Sequence, residues 1–561
     1  MKKMKAIKQC AAVILTSALT FTLVSGCSGG KNSGNGPSNQ SDQETLKLVD
    51  GKYDPPVTIT TIRGVNADVT FKNGETIENN VHTRWAEEKL GIKIKYNWTV
   101  TNTNDAFATK LRLALSSDEE MPDIIAMRED SDIVDALMDS GKFMEVGELF
   151  DKYASETWKN AMNEDPTVWY RYIKDGKKYG IPILDYAYNS DPVLWIREDW
   201  MKKLNLQAPK TIEDVEKIMD AFVNQDPDGN GQKDTWGLTL GTKNAFNTWM
   251  SDVSWLFGAY GAMPNQWNLN SEGNLEFGSV QPGVKEGLVK LKEWKEKGYI
   301  PTEFPLWDES KATEAFVSGK AGMIAGPYWM VSWPLADLNK NVKGAEFKAY
   351  PLPTGSDGKG GRHSTPVRNG VVLINKNMKH PEVFFTYQNY WYDNYAERKA
   401  GSEFEFGTFK GYDYDFVDGK WVDETKVPGG GAPAYKYTLT FDGARIPSLN
   451  MKTMAKLAGG SPPATPFEKI TAEGTPKAML DAAKIVMDQK DLAVPNMFQT
   501  RQTPTMRKRQ EYLKKLEGDV FSKIIYGKVG PEQFDKFVEE WKSSGGDDMT
   551  KEVNEWYQSV K

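Results

Sequence analysis

The segment Tyr179-Gly-Ile-Pro-Ile-Leu-Asp-Tyr-Ala-Tyr-Asn-Ser-Asp-Pro-Val-Leu-Trp-Ile-Arg-Glu-Asp-Trp200 holds two extended apolar runs separated by a polar, aromatic bridge, Asp185–Asp191. Each run has the length and composition of a buried strand. Downstream, Thr211 stands where it can cap a helix, with Asp214 three residues on. Ile212, Val215, Ile218, Met219 and Phe222 then form the inward stripe of that helix.

Upstream of the bridge, Val57–Ile62 is β-branched and reads as a strand. Asn79–Leu90 has helical spacing and stops at Gly91, and Ile92, Ile94, Tyr96 and Trp98 alternate with polar residues. A second helix through Phe107, Leu111 and Ala114 leads to a short strand, Pro122–Met127. This alternation predicts an α/β domain with parallel pairings.

The first residues have a different character. Lys2, Lys3, Lys5 and Lys8 precede an uncharged run from Ala11 to Val24, the build of a secretory signal and too short to span a bilayer comfortably. Val24-Ser-Gly-Cys27 resembles a bacterial lipobox, where a peptidase cuts before a Cys whose thiol has been diacylated. Residues 1–26 are therefore expected to be a signal peptide and Cys27 the lipidation site. The stretch 27–47 is expected to be a flexible tether, since Ser28–Glu44 is rich in Gly, Ser and Asn.

Composition excludes several functions. The formal charge is −7, and the signal carries four of the lysines, so the mature protein is more acidic still and a poor ligand for nucleic acid. The two cysteines are Cys10, inside the signal, and Cys27, leaving neither disulfide nor thiol chemistry to the folded part. His82, His363 and His380 are too scattered for a histidine metal site. No nucleophile elbow, phosphate loop or dinucleotide turn is present. Glu119-Glu120 or Glu403 and Glu405 could be taken for a glycosidase pair, but among 77 acidic residues such pairs arise by coincidence.

One local motif points to an ion. In Asp226-Pro-Asp-Gly-Asn-Gly-Gln-Lys-Asp234, oxygen side chains (Asp226, Asp228, Asn230, Asp234) fall at positions 1, 3, 5 and 9 of an EF-hand-like loop. A glycine falls at position 6, and Gln232 at position 7 would offer its carbonyl. Position 12 is Gly237 instead of the bidentate Glu, so a further ligand must come from elsewhere. Structural calcium is expected, with an ion-free turn as the alternative.

The segment Leu194-Trp-Ile-Arg-Glu-Asp-Trp-Met-Lys-Lys-Leu-Asn-Leu-Gln-Ala-Pro-Lys-Thr-Ile-Glu-Asp-Val215 resembles the stretch past the first crossover of family 1 extracellular solute-binding proteins. Ala315–Trp329, Asn369–Phe384 and Glu517–Trp556 resemble further pieces of that family in the right order. The resemblance implies an α/β, two-lobe, periplasmic-binding-protein-like fold of type II with a multi-segment hinge. Lobe 1 is expected at 48–188 and 372–490, and lobe 2 at 189–371 and 491–561. It also implies a receptor, not an enzyme, that closes on an oligosaccharide and delivers it to the permease subunits of an ABC importer from the outer face of the cell membrane. A surface-anchored polysaccharide-degrading enzyme and a receptor for a peptide or other nutrient are the alternatives. Candidate ligand contacts are Arg63, Arg128, Tyr186, Tyr188, Trp249, Trp255, Tyr328, Trp329, Arg368 and Asn369. Aromatic rings stack on sugar C–H faces, while Arg and Asn pair with hydroxyls. Tyr328, directly after Gly-Pro, is the expected stacking face.

Overall fold

The computed structural model describes residues 46–128 and 131–561. The signal peptide, Cys27 and nearly all of the tether therefore lie outside the described residues. The strands that frame lobe 1 begin with β1 (Val57–Val65), β2 (Ile92–Thr101), β3 (Ile124–Met127) and β4 (Ile181–Leu184). They are followed by β5 (Pro192–Arg197), β6 (Trp236–Leu238), β7 (Ala321–Pro327) and β8 (Phe347–Tyr350). Three more strands that bear on the site are β9 (Arg362–Ser364), β10 (Arg368–Ile374) and β11 (Ala493–Pro495).

In lobe 1, β1 and β2 pair in parallel. The helix between them begins at Val81, where Asn80 accepts the backbone N–H groups of His82 and Thr83. It ends at Gly91, whose φ of +66° and approach to the Tyr53 carbonyl leave no room for a Cβ. Parallel pairing stops there. β10 enters from far along the chain and lies antiparallel between β3 and β4, so the parallel pairing expected for the Pro122–Met127 strand is corrected. Ile62, Phe107, Leu111, Ile125 and Leu373 close the core of this lobe.

In lobe 2 the sheet order is β6-β7-β5-β8, with β5 antiparallel to both neighbours. The Thr211 cap forms as read, with Asp214 returning the bond, and the stripe from Ile212 to Phe222 is buried beneath Trp200 and Gly322. Burial of each such side chain contributes about 2 kcal/mol. The C-terminal helices Pro504–Ile525, Gln533–Trp541 and Asp547–Val560 join the same core.

The expected lobe boundary near 490 is corrected. Helices Leu449–Ala458 and Lys477–Asp488 bury Met451, Met454, Leu480 and Val486 against Val193, Trp195 and Ile324 of lobe 2. The chain thus leaves lobe 1 for the last time around residues 444–448. Three crossing segments run beside one another. The Asp185 N–H donates to the Val367 carbonyl at 2.8 Å, and the Ala187 N–H to the Pro447 carbonyl at 2.8 Å. β9 and β11 form a small parallel pair at their base.

Candidate ligand-binding cleft

The wall on lobe 1 is built from the C-terminal ends of β1, β2 and β3, where open α/β sheets present ligand surfaces. A cavity of about 400 Å³ opens there between Asn66, Asn102, Phe107, Arg128 and Phe441. Arg128 donates to the Asn369 side chain at 3.5 Å and stands 3.6 Å from the Asp442 carboxylate. Phe441, held at a φ of +72°, has the Arg63 guanidinium 4.0 Å and that of Arg128 5.7 Å from its ring centre. Arg63 itself is buried and donates to the carbonyls of Lys436 and Thr438 at 2.8 and 3.1 Å. It is a tie inside lobe 1, and its expected place as a ligand contact is corrected.

The crossing segments supply the floor. Arg445 pairs with Asp185, lies 3.0 Å from Asp442, and sits 4.6 Å above the Tyr186 ring. Deeper in, Arg362 and Asp191 form an ion pair at 2.8 Å with both side chains shut off from solvent. Burial pushes the Asp191 carboxyl up, against the pull of Arg362. Arg362 also donates to the Gln489 carbonyl at 2.6 Å, tying the hinge to the end of Lys477–Asp488. Tyr188 is half-buried beside the lobe 2 core, and Arg368 donates to Gln499 while lying 5.8 Å above Tyr172.

The wall on lobe 2 is aromatic. Trp329 donates its indole N–H to the Asn189 carbonyl at 2.8 Å, which places it against the first crossing. Trp249, Trp329 and Trp333 form a cluster with ring centres 5.6, 6.0 and 6.3 Å apart and interplanar angles of 17–32°. Trp333 is 57% exposed and Trp249 44%. Two expected contacts are corrected here. Trp255 is fully buried and donates to the Asp252 carbonyl, packed beside Trp294. Tyr328 is 7% exposed, sits in the core with Trp195 and Met454, and burial pushes its hydroxyl up to about 12. Trp333, Phe441, Asp442 and Arg445 were not singled out by the sequence reading.

Residues 69–394 match the family model for bacterial extracellular solute-binding protein. The chain belongs to that family. Among the relatives of this solute-binding protein is the polygalacturonan/rhamnogalacturonan-binding protein YtcQ of Bacillus subtilis, 25% identical over 81% of this chain and 83% of that protein. Another is the fructooligosaccharide ABC transporter substrate-binding protein FusA of Streptococcus pneumoniae, 29% identical over 52% of each. An extracellular solute-binding protein from Bifidobacterium longum subsp. infantis shares the fold with a TM-score of 0.64 at 17% identity, over 90% of this chain and 99% of that one. The fold is that of the type II periplasmic solute-binding proteins.

Two further sites of this solute-binding protein bear on chemistry. Glu403 accepts the Trp85 indole and the Tyr390 hydroxyl, and Glu405 accepts the Gly401 N–H, so both carboxylates are engaged in local structure. In the loop after Ile212–Asn224, the Gly231 N–H donates to Asp226 at 3.1 Å, and the Asn230 amide bridges Asp228 and Asp234 at 2.9 and 3.1 Å. Asp226 Oδ1 is buried with no hydrogen-bond partner among the described residues. Lys203 caps the carbonyls of Asp226 and Pro227 at 2.9 and 3.0 Å. Among the described residues no three His, Cys, Asp or Glu side chains stand together as a ready metal cluster.

Proposed function

We propose that this protein captures an oligosaccharide outside the cytoplasmic membrane by closing its lobes on it, and delivers it to the permease subunits of an ABC importer. The observation that carries this reading is the partly exposed Trp249–Trp329–Trp333 cluster on lobe 2, joined to the first crossing through Trp329 and Asn189, with hydroxyl-pairing groups of Arg128, Asn369 and Asp442 on lobe 1. The tryptophans offer flat apolar area to sugar rings, and the polar wall offers both donors and acceptors to hydroxyls. The two relatives named for polygalacturonan/rhamnogalacturonan and fructooligosaccharide support the ligand class.

Closure follows from linkage. A ligand that touches both walls favours the closed state by the contacts it gains there, and moving an equilibrium from 1:99 to 99:1 takes about 5.5 kcal/mol of such preference. The three crossing segments absorb the rotation in a few backbone dihedrals. The Val24-Ser-Gly-Cys27 motif supports a lipid anchor at Cys27, which would hold the receptor beside its permease. The loop Asp226–Asp234 is further proposed to hold calcium through Asp226, Asp228, Asn230, the Gln232 carbonyl and Asp234. Its donors are all oxygen, and the open Asp226 Oδ1 supports that assignment.

Titration calorimetry of the purified protein with defined galacturono-, fructo-, malto- and xylo-oligosaccharides tests the reading, with small-angle scattering to follow closure. Binding of at least one series, a smaller radius of gyration with it, and recovery of the sugar uncut are expected. Cleavage of the sugar would favour the polysaccharide-degrading alternative, and tight binding without compaction would end the closure mechanism.

A further inference from the structure

The loop that carries Trp249 also walls a second and larger space. A cavity of about 740 Å³ lies between Thr242–Asn247, Asn265–Trp267, the segment around Asn496–Gln502 and the helix Pro504–Ile525. That volume is within the range of about 300–1,000 Å³ typical of small-ligand pockets. Its walls alternate aromatic rings, such as Phe246, Trp267 and Phe521, with the amides of Asn247, Asn496 and Gln510. Lys243 and Lys514 are exposed at its edge, and Lys243 stands 4.0 Å from Asp308.

Two features of the long helix show that this space is built. Glu517 is buried, and both of its donors, Asn265 at 2.7 Å and Ser279 at 2.9 Å, meet the same oxygen, Oε1. Oε2 takes no hydrogen bond from the described residues, and Glu517 lines the cavity. Next to it, Gly518 lines the same cavity, and a Cβ placed there would meet nothing within 4 Å. Glycine inside a helix costs about 1 kcal/mol relative to alanine. Gly518 is exposed, so that cost leaves the cavity's edge open where a side chain would otherwise stand.

We propose that this chamber is a second subsite for the same ligand, taking hydroxyl-rich sugar units beyond those on the tryptophan cluster. Glu517 is its buried acceptor and Gly518 the opening at its edge. The inference rests on the oligosaccharide reading. Asn247, which lines the chamber, and Trp249 are two residues apart, at most about 7 Å of chain, so the chamber wall and the tryptophans lie within one or two sugar units of each other. Asn247 is itself positioned by His363, 3.4 Å away, whose ring also meets Gln266 at 2.8 Å. Amides, a carboxylate and flat rings together match the donor, acceptor and C–H surfaces of a pyranose or furanose.

Calorimetry with each of the four oligosaccharide series, from two to six units, tests this in the wild type, Gly518→Phe and Glu517→Gln. Phenylalanine enters open space and improves the helix, so the melting point is expected to hold. Glu517→Gln keeps an acceptor for Asn265 and Ser279. Wild-type affinity is expected to climb about tenfold or more from the short to the long members of the bound series. Gly518→Phe should lose the climb while binding the short members as the wild type does, and Glu517→Gln should weaken only the long members. A climb that persists in both variants overturns the subsite and leaves capture standing. Failure of the wild type to bind any series overturns the capture reading and the subsite with it.

Discussion

The Asp252 carboxylate takes the Ser254 hydroxyl at 2.6 Å and the Ser254 N–H at 2.9 Å, with both residues shut away from water. Its second oxygen takes the Thr248 N–H at 3.0 Å, so one buried side chain closes the turn that carries Trp249. Burial drives this carboxyl up to about 7. In the unfolded chain it ionises in the ordinary range near 4. Between about pH 4 and 7 the folded protein therefore holds the extra proton, and this group's stabilisation is lost as pH rises, by about 1.4 kcal/mol per unit. Glu517, also pushed up to about 7 by burial, acts in the same direction. His82 and His363, held by burial down to about 3 and about 4, act in the opposite direction below about pH 6.5. The informative quantity is thus a difference between variants. The melting temperature of the wild type minus that of Asp252→Asn should fall from pH 5 to pH 8 in scanning calorimetry; a constant difference would contradict the buried proton.

Trp333 and Tyr328 should separate binding from folding. Trp333 is 57% exposed, so Trp333→Ala is expected to leave the melting point within a degree or two while weakening the bound oligosaccharide by about 1.4 kcal/mol, or tenfold. Tyr328 is core, so Tyr328→Ala should destabilise the fold by about 3–5 kcal/mol, read by denaturant titration. A stable Tyr328→Ala protein with selectively lost affinity would restore the reading from sequence.

The calcium proposal predicts a melting point that follows free calcium. An ion bound to the native state alone adds RT ln(1 + [L]/Kd), about 2.7 kcal/mol at a hundredfold excess over Kd. Chelator should lower the melting point of the wild type, and Asp226→Ala should be insensitive to both. An unchanged wild type under chelator would leave an ion-free turn closed by Asn230.

Cys27→Ala should move the protein from the membrane fraction to the soluble one, since two acyl chains anchor a protein stably and none does. Fractionation with immunoblotting reads this directly, and continued membrane retention would remove the lipobox assignment.

Local order was legible where pattern alone sets it. The alternation of Ile92, Lys93, Ile94 and Lys95 fixed a half-buried strand, and Thr211 with Asp214 fixed a helix start. Side-chain destinations depended on partners that no local pattern contains. Arg63 turns inward because carbonyls of Lys436 and Thr438, more than 370 residues away in sequence, meet it there. Trp249 and Trp255 stand six residues apart in one aromatic stretch, yet the turn closed by Asp252 sends one outward and leaves the other against Trp294. The last crossing was misplaced because nothing at 444–448 resembles a strand. Its course is held by Arg445 on Asp185 and by the Pro447 carbonyl.

The central place of β10 has a consequence for the order in which the chain acquires structure. Among the described residues, β3 and β4 each find their ladder partner only in β10, whose first residue, Arg368, follows the end of β4 by the whole first stretch of lobe 2. A chain emerging from its N-terminus exposes two unpaired strand edges through that entire interval, and long-range pairing of this kind is slow. The late strand is thus expected to delay assembly of lobe 1 until Arg368–Ile374 has been made, which would leave the earlier part of the chain pliable in the meantime. A fragment ending at Val367 should show weak near-ultraviolet circular dichroism and rapid proteolysis within residues 48–184, whereas one extended to Asn375 should protect β3 and β4. Equal protection in the two fragments would mean that the early strands settle without their central partner.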